Sequence, residues 1–391
     1  MNGICREDKS KILHLSNFAL GVFPFRYLGI PISYKRLSVG DCNKLVDKIV
    51  ARIRSWGARK LSYAGRMVLI HAVLSQLHAY WARIFLIPTT VINNIAGICR
   101  NYLWSGNDQF KIPLVSWDFC CNSKQHEGLG FLNYADWNKA SIAKFTWWIA
   151  SKQDHLWIKW VNAIYIKNNP WLNYQPPLQS SWSWRQICKI KEIFKPSYSN
   201  DSWVSGDYSV QKGYEWLHSD TARVPWWPMV WNKMNVPKHS FIFWLYALNR
   251  LSTRDRLVAH GICSETICVL CQQEDESKDH ILFHCALSRR CLHLVHNLLQ
   301  IDMGDKEPLL WCYSWRCPSL FQKQVIYAGI ASLIYHIWDA RNRCRVEGVL
   351  PTPGFLFDRI KHDVIGRAHN NLAKCRTRAG CNWLASVRIT S

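Results

Sequence analysis

The sequence predicts a mainly α-helical protein, and three observations support this fold class. Apolar residues recur at three- and four-residue spacing in several long segments, which is the pattern of amphipathic helices. Strand-like patterns are confined to short segments, such as FRYLGIPIS at residues 25–33. The 391 residues are 49% apolar and 19% charged, so the chain can bury real hydrophobic cores. This length favours two or three domains.

The predicted helices follow one another along the chain. The first comes after Asp41 and carries an apolar stripe of Leu45, Ile49 and Ile53. Further helices are predicted at residues 62–83, 91–104, 137–151 and 320–345, and a helical aromatic segment begins at 226. Prolines and scattered serines in residues 167–200 predict a linker. The tail from Asp358 is basic, and we expect it to be partly disordered.

The charge of the chain narrows the choice of partners. The chain has a formal net charge of +22, and on a compact body these like charges repel one another. A polyanion such as nucleic acid, or an anionic membrane surface, would relieve this repulsion. The longest apolar run, residues 241–248, is far short of the ~20 residues of a membrane span. The N-terminus lacks the apolar core of a secretory signal. We therefore expect an intracellular protein of the nucleus or cytoplasm, with no membrane partner and with cysteines that are thiols or metal ligands.

The strongest local motif is a cysteine–histidine cluster with the spacing C-x2-C-x8-H-x4-C. It consists of Cys268, Cys271, His280 and Cys285. A CxxC turn places two thiolates on one side of a tight loop, and a His and a Cys with four residues between them complete a tetrahedron. The sequence therefore predicts structural Zn²⁺ with no open coordination position. The polar spacer QQEDESKD is typical of a solvated loop.

Several alternatives remain open for this cluster. His284 is an alternative to His280, and Cys263 or Cys291 could replace an outer ligand. A redox dithiol of Cys268 and Cys271 is a competing chemistry, but the βαβ context that it needs is not evident. The other histidines show no second ligand set.

These motifs resemble a known family. Residues 25–33, 51–74, 85–106 and 128–150 resemble the segment after the polymerase core in plant non-LTR retrotransposon reverse transcriptases. The segments DSWVSGDYSVQKGY (201–214), 230–257 and CVLCQQEDESKDHILFHC (268–285) resemble their reverse-transcriptase zinc-binding domain, and IWDARNRCRVEG (337–348) resembles the helix that follows it. The resemblance implies a thumb-like helical region at 1–110, a connecting region and linker at 111–200, the zinc-binding domain at 201–300, and a C-terminal helix and basic tail at 301–391.

The departures from this family bear on activity. Its polymerase site needs paired aspartates to hold two metal ions, and this sequence contains no Asp-Asp dipeptide. No set of converging ribonuclease H carboxylates is recognisable, and we interpret Asp358 and Asp363 as solvated charges in the tail. We therefore expect a non-enzymatic, nucleic-acid-binding C-terminal fragment of an RNA-directed DNA polymerase. The alternatives are a part that needs a partner palm domain, or a decayed retroelement reading frame without function.

Basic residues cluster in the region that resembles a polymerase thumb. Lys44, Lys48 and Arg52 step by four along one predicted helix face, and further basic residues follow at Arg54, Arg59, Lys60 and Arg66. Such a face can neutralise phosphates of RNA or DNA without reading sequence, although a merely solvated helix face is the alternative. A second basic group surrounds the zinc loop and consists of Lys238, His239, Arg250, Arg254, Arg256, Arg289 and Arg290. It would contact nucleic acid or other parts of the retroelement machinery.

Overall fold

The computed structural model of the protein describes residues 5–17, 25–32, 36–56, 61–107, 111–198, 207–218, 222–302, 309, 311, 317, 319–372, 380–383 and 387. Within these residues, the regular structure is helical apart from one two-stranded antiparallel sheet. The predicted mainly α class is therefore confirmed. No helix in this part of the chain is both long enough and apolar enough to cross a membrane.

The elements are named here in chain order. The helices are α1 (Arg6–Ser16), α2 (Asn43–Ser55), α3 (Tyr63–Leu69), α4 (Ser75–Ala82), α5 (Thr89–Ser105), α6 (Trp117–Cys121), α7 (Tyr134–Ala150), α8 (Leu156–Val161), α9 (Trp182–Tyr198), α10 (Val210–Trp216), α11 (Trp227–Val230), α12 (Pro237–Ala247), α13 (Arg254–Ala259), α14 (Ala286–Leu299), α15 (Leu320–Glu347) and α16 (Pro353–His369). The strands are β1 (Phe25–Tyr27) and β2 (Ile30–Ile32). Single π-helical turns lie at Ile70–Leu74, Asn162–Ile166 and His280–His284.

The chain forms two compact units. The first comprises Met1–Arg52, Val73–Gly97 and Asn133–Ser219, and the second comprises Ile53–Ala72, Ile98–Leu132 and Asp220–Ser391. The domain boundaries drawn from the sequence stay predictions.

Helix α7 organises the first unit, where α4, α9 and α10 pack against it. The amide of Asn138 on α7 donates to the carbonyls of Ala82 and Phe85 at 2.9 and 2.7 Å and accepts from the backbone N–H of Ile87 at 2.8 Å. These bonds satisfy backbone groups at and beyond the end of α4, which would otherwise be costly to bury.

Helix α9 lies inside the segment predicted to be a linker. Its buried residues Trp184, Cys188, Lys191 and Phe194 follow one another at steps of three or four, and the Ser181 side chain accepts from the backbone N–H of Trp184 at 3.2 Å. The prolines before the helix do not disturb it, and Pro196 lies in its last turn. The apolar periodicity therefore outweighs the proline and serine content that predicts a linker.

Helix α15 forms the core of the second unit and is buried along most of its length. Helices α11, α12, α14 and α16 pack against it. Gly329 lets α14 approach closely, because a Cβ there would lie 2.5 Å from Leu299 Cδ1. The helix ends at Gly348, whose φ of 71° is the left-handed conformation typical of helix C-termini.

Helix α16 corrects the prediction of a partly disordered basic tail from Asp358 as far as His369, whereas residues 373–379, 384–386 and 388–391 lie outside the described residues. Thr352 caps its N-terminus, and Leu356, Ile360 and Val364 bury one face at four-residue spacing. The basic residues lie on the other faces of this helix. Composition alone therefore shows a basic segment and does not reveal the apolar stripe.

Candidate metal centre

The first two metal ligands predicted from sequence lie on a tight turn of the second unit. An isolated antiparallel bridge between Ile267 and Asp275 closes the loop. The backbone N–H of Cys268 donates to the carbonyl of Glu274 at 2.8 Å, and Gln272 adopts a left-handed φ of 56°. This turn brings both sulfurs of the CxxC motif to the same side of the loop.

The other two ligands lie at the two ends of the π-helical turn that leads into α14. His280 begins the π-helical turn, and the backbone N–H of Cys285 donates to the carbonyl of His280 at 2.7 Å. Cys285 is the residue that immediately precedes α14. The wide turn points the imidazole and the third sulfur toward the CxxC loop.

The four donor atoms of Cys268, Cys271, His280 and Cys285 all lie within 4.8 Å of one another. Cys271 Sγ and His280 Nε2 are 3.3 Å apart. Zinc binds thiolate sulfur at about 2.3 Å and imidazole nitrogen at about 2.0 Å, so donor atoms at these separations can surround one ion tetrahedrally. Cys268, His280 and Cys285 are buried, and Cys271 is half-buried.

The side chains of Cys268 and Cys285 lie within hydrogen-bonding reach of each other. The hydrogen bond between the two side chains raises the pKa of Cys268 and lowers the pKa of Cys285. Backbone N–H groups of Leu287 and Ser288 also lower the pKa of Cys285, because they donate to its sulfur at the start of α14. The lowered pKa makes Cys285 easier to deprotonate, and the thiolate is the form that ligates a metal.

A carboxylate outside the cluster fixes the orientation of the imidazole. His280 Nδ1 lies 2.9 Å from Glu274 Oε2. With its proton held on Nδ1, the ring presents the lone pair of Nε2 to the sulfurs. Such a carboxylate–histidine pair is typical of metal centres.

The alternative ligands lie elsewhere. His284 is exposed and is not part of the cluster. Cys263 Sγ faces the carbonyl of Glu265 at 3.7 Å, and Cys291 Sγ faces the carbonyl of Pro353 at 3.7 Å. Of the two histidines, His280 therefore lies with the three sulfurs and His284 does not, and the assignment of His280 as a ligand stays a prediction.

One residue of the polar spacer, Glu276, forms a buried ion pair that the sequence analysis did not anticipate. Glu276 and Arg341 of α15 have side chains that are 0% and 1% exposed. The guanidinium donates to both carboxylate oxygens, from Nη2 at 2.6 Å and from Nε at 3.1 and 3.2 Å. The backbone N–H of Arg254 donates to Glu276 at 2.9 Å. The metal loop is thus held against α15 and is not wholly solvated.

The basic residues predicted to bind nucleic acid differ in how exposed they are. Lys44, Lys48 and Arg52 are exposed along one face of α2, which adjoins the stripe of Leu45, Ile49 and Ile53, whose side chains are at most 1% exposed. The predicted apolar stripe is therefore confirmed. Arg59 and Lys60 lie outside the described residues.

Arg66 differs from the exposed residues of α2. Its Nη1 donates to the carbonyl of Leu103 at 3.0 Å, and its guanidinium lies 5.1 Å from the centroid of the Tyr63 ring. Both contacts are inside the second unit. Arg66 therefore has an evident packing role, and its predicted contact with phosphate stays a prediction.

The second basic group is also divided. Arg250, Arg289 and Arg290 are exposed, whereas Arg254 donates to the carbonyl of Ile267 at 2.7 Å and pairs with Glu265 at 3.0 Å. His239 is 1% exposed and cannot be part of a surface.

His239 instead belongs to a cluster that the sequence analysis missed. His239, His336 and Asp363 form a second group whose donor atoms lie within 4.8 Å of one another. The interpretation of Asp363 as a solvated charge is wrong, because its Oδ2 accepts from His336 Nε2 at 2.7 Å. Burial lowers the pKa of His239 to about 3. Although burial opposes it, the hydrogen bond from His336 and the nearby His239 lower the pKa of Asp363.

One protein-family model matches the part of the chain that contains the Cys3His cluster. Residues 208–291 match the family described as zinc-binding in reverse transcriptase, and this range contains the CxxC loop, His280 and Cys285. A zinc-binding domain that contains a Cys3His cluster in a metal-binding geometry confirms the predicted zinc cofactor.

One curated protein adds a weaker similarity. A protein of Arabidopsis thaliana named "Putative ribonuclease H protein" is 25% identical over 210 residues. The aligned segment is 52% of this chain and 31% of that relative, so the chain spans about a third of the relative's length.

Proposed function

We propose that this chain serves a retroelement reverse transcriptase of the plant non-LTR type as a zinc-stabilised, nucleic-acid-binding region without polymerase activity of its own. The family match supports the connection to reverse transcriptase. The sequence contains no Asp-Asp dipeptide, and two-metal polymerases hold their ions with paired carboxylates. The order of the motifs in residues 25–150 supports the non-LTR class.

The proposed zinc ligands are Cys268, Cys271, His280 and Cys285. The observation that carries this assignment is the proximity of their donor atoms, all within 4.8 Å. Three sulfurs and one nitrogen complete a tetrahedron, so no coordination position is left for water or substrate. Bound zinc would stabilise the fold of this loop and α14, and it would supply no reaction chemistry.

The proposed nucleic-acid contact is the exposed face of α2. Lys44, Lys48 and Arg52 follow one another at four-residue steps, which places them about 6 Å apart along the helix. Phosphates along one strand are separated by a similar distance, so the face can contact several of them. No base edge needs to be read for such binding, which predicts affinity for both RNA and DNA of unrelated sequence.

The test is binding of a fluorescent template–primer duplex across a range of salt concentrations. Replacing Lys44, Lys48 and Arg52 together by Gln should weaken binding similarly for unrelated sequences. Each lost phosphate contact should make the slope of log affinity against log salt shallower by about 0.9 on duplex DNA. The fold should persist, because these side chains are exposed and are not part of the buried stripe.

A matched control separates local contact from net charge. Lys167, Lys189 and Lys195 are also exposed in the first unit, and replacing them by Gln removes the same charge. The control should keep more of the salt slope than the α2 variant. An equal effect of both triple variants would mean that α2 is a solvated face, and a sequence-dependent loss would mean that it reads bases.

A further inference from the structure

Three helices of the second unit bring a second set of ligating side chains together. His239 lies on α12, His336 on α15 and Asp363 on α16. His336 Nε2 is 2.7 Å and His239 Nε2 is 3.6 Å from the same carboxylate oxygen, Asp363 Oδ2. The three donor atoms therefore converge on one point although the residues are far apart in sequence.

Burial makes this arrangement costly unless something further binds there. The side chains of His239 and His336 are 1% and 2% exposed. His239 Nε2 is buried and has no hydrogen-bond partner, since its 3.6 Å distance to Asp363 exceeds a hydrogen bond. A buried polar atom without a partner costs about 1–3 kcal/mol. This nitrogen points at a carboxylate and can satisfy its lone pair with a cation between them.

We propose that His239 Nε2, His336 Nε2 and Asp363 Oδ2 form a second metal site that binds a divalent transition ion, zinc in the first instance. Two imidazoles and one carboxylate are a recurrent zinc ligand set. Binding needs the lone pair of His336 Nε2, so the neutral ring must carry its single proton on Nδ1 in place of Nε2, and no net proton is released from this ring. The ion would then join α12, α15 and α16 at one point.

The surroundings favour zinc over magnesium or calcium. Hard cations prefer six or more oxygen ligands, whereas this site offers two nitrogens and one carboxylate.

The ligand set leaves a coordination position open, in contrast to the closed Cys3His site. Ser332 Oγ donates to Asp363 Oδ2 at 3.4 Å and would steady the carboxylate. Asp363 is the only one of the three with appreciable exposure, at 27% of its side chain. Water could complete the coordination from that side.

The experiment is metal analysis of the purified full chain, followed by titration of metal-free protein with Co²⁺. We expect two equivalents of zinc per chain. Cobalt should fill two spectroscopically different sites, one with the thiolate charge-transfer band of a sulfur-ligated ion and one without it. Cys271→Ser should abolish the sulfur-type signal and leave the other.

Two variants test the ligands of the new site, and one serves as control. His239→Gln should reduce the metal content from two equivalents to one and retain the thiolate band, since it leaves the His336–Asp363 hydrogen bond in place. Asp363→Asn should have the same effect, with wild-type circular dichroism as the check of folding. His362→Gln, which changes an exposed histidine of α16 outside the cluster, should retain both equivalents.

A wild-type chain that holds one equivalent, all of it lost in Cys271→Ser, would overturn the proposal. So would a His239→Gln variant that binds cobalt as the wild type does. The two histidines and Asp363 would then be a hydrogen-bonded part of the core. Neither result would affect the proposed role of the Cys3His site.

Discussion

Replacing Arg341 by alanine is expected to destabilise the second unit strongly, because it leaves Glu276 as an unpaired charge in the core. Both side chains are at most 1% exposed, so solvent does not screen the pair. Removing one partner of a buried ion pair costs about 3–5 kcal/mol. The remaining donor to Glu276, the backbone N–H of Arg254 at 2.9 Å, offsets part of this cost. We therefore expect the free energy of unfolding to fall by about 3–4 kcal/mol, the lower half of this range.

The assay is thermal unfolding at saturating zinc, followed by circular dichroism. For a unit of this size, each kcal/mol lowers Tm by about 2–4 °C, so Arg341→Ala should lower Tm by roughly 6–16 °C. The double variant Glu276→Gln with Arg341→Met should recover much of the loss, because replacing a whole buried pair by neutral side chains removes the unpaired charge.

The matched control lies two residues further along α15. Arg343 pairs with Asp339 at 3.2 Å, and its side chain is 51% exposed. Exposed pairs contribute about 0–1 kcal/mol, so Arg343→Ala should change Tm little. If Arg341→Ala lowers Tm no more than Arg343→Ala, the ion pair does not hold the metal loop on the helix. A double variant less stable than Arg341→Ala would also contradict the charge argument.

Three further predictions concern zinc and catalysis. Cys271→Ser should lose the zinc of the Cys3His site and loosen the metal loop around residues 267–285, measured by metal analysis and proteolysis, while His284→Ala should keep the metal. Glu274→Gln should weaken zinc binding about 10–100-fold in a chelator competition, because it loosens the hold on His280 Nδ1; unchanged affinity would show that the carboxylate does not orient the ring. The purified chain should not extend a primer on an RNA template with magnesium or manganese, and template-dependent extension would disprove this prediction. Synthesis that is restored by adding a palm-containing partner would favour the alternative in which the chain needs a partner palm domain.

The sequence was sufficient to locate the Cys3His site because its geometry is local. All four ligands lie within one short segment, and the spacing of the CxxC turn and of His280 and Cys285 determines which donor atoms can meet. Helix α2 was predictable for a similar reason, since burial every three or four residues is written in the sequence itself.

The second His/Asp cluster and the Glu276–Arg341 pair could not be found in this way. Arg341 lies 65 residues from Glu276, and Asp363 lies 27 residues from His336. No local spacing connects such residues, because it is the packing of α12, α15 and α16 that brings them together. A charged residue in a polar spacer, or an aspartate in a basic tail, then looks solvated until its distant partner is known.

The location of these features implies that metal binding and nucleic-acid binding can be perturbed separately. The Cys3His site is in the second unit, whereas Lys44, Lys48 and Arg52 are in the first. A closed zinc site offers no coordination position to a phosphate, so zinc can act on nucleic acid only through the stability of its own unit. Variants of the α2 face should therefore change the salt slope without changing metal content. Glu274→Gln should change zinc affinity without changing the salt slope while zinc is saturating, and a change in that slope would mean that the metal loop itself contacts phosphate.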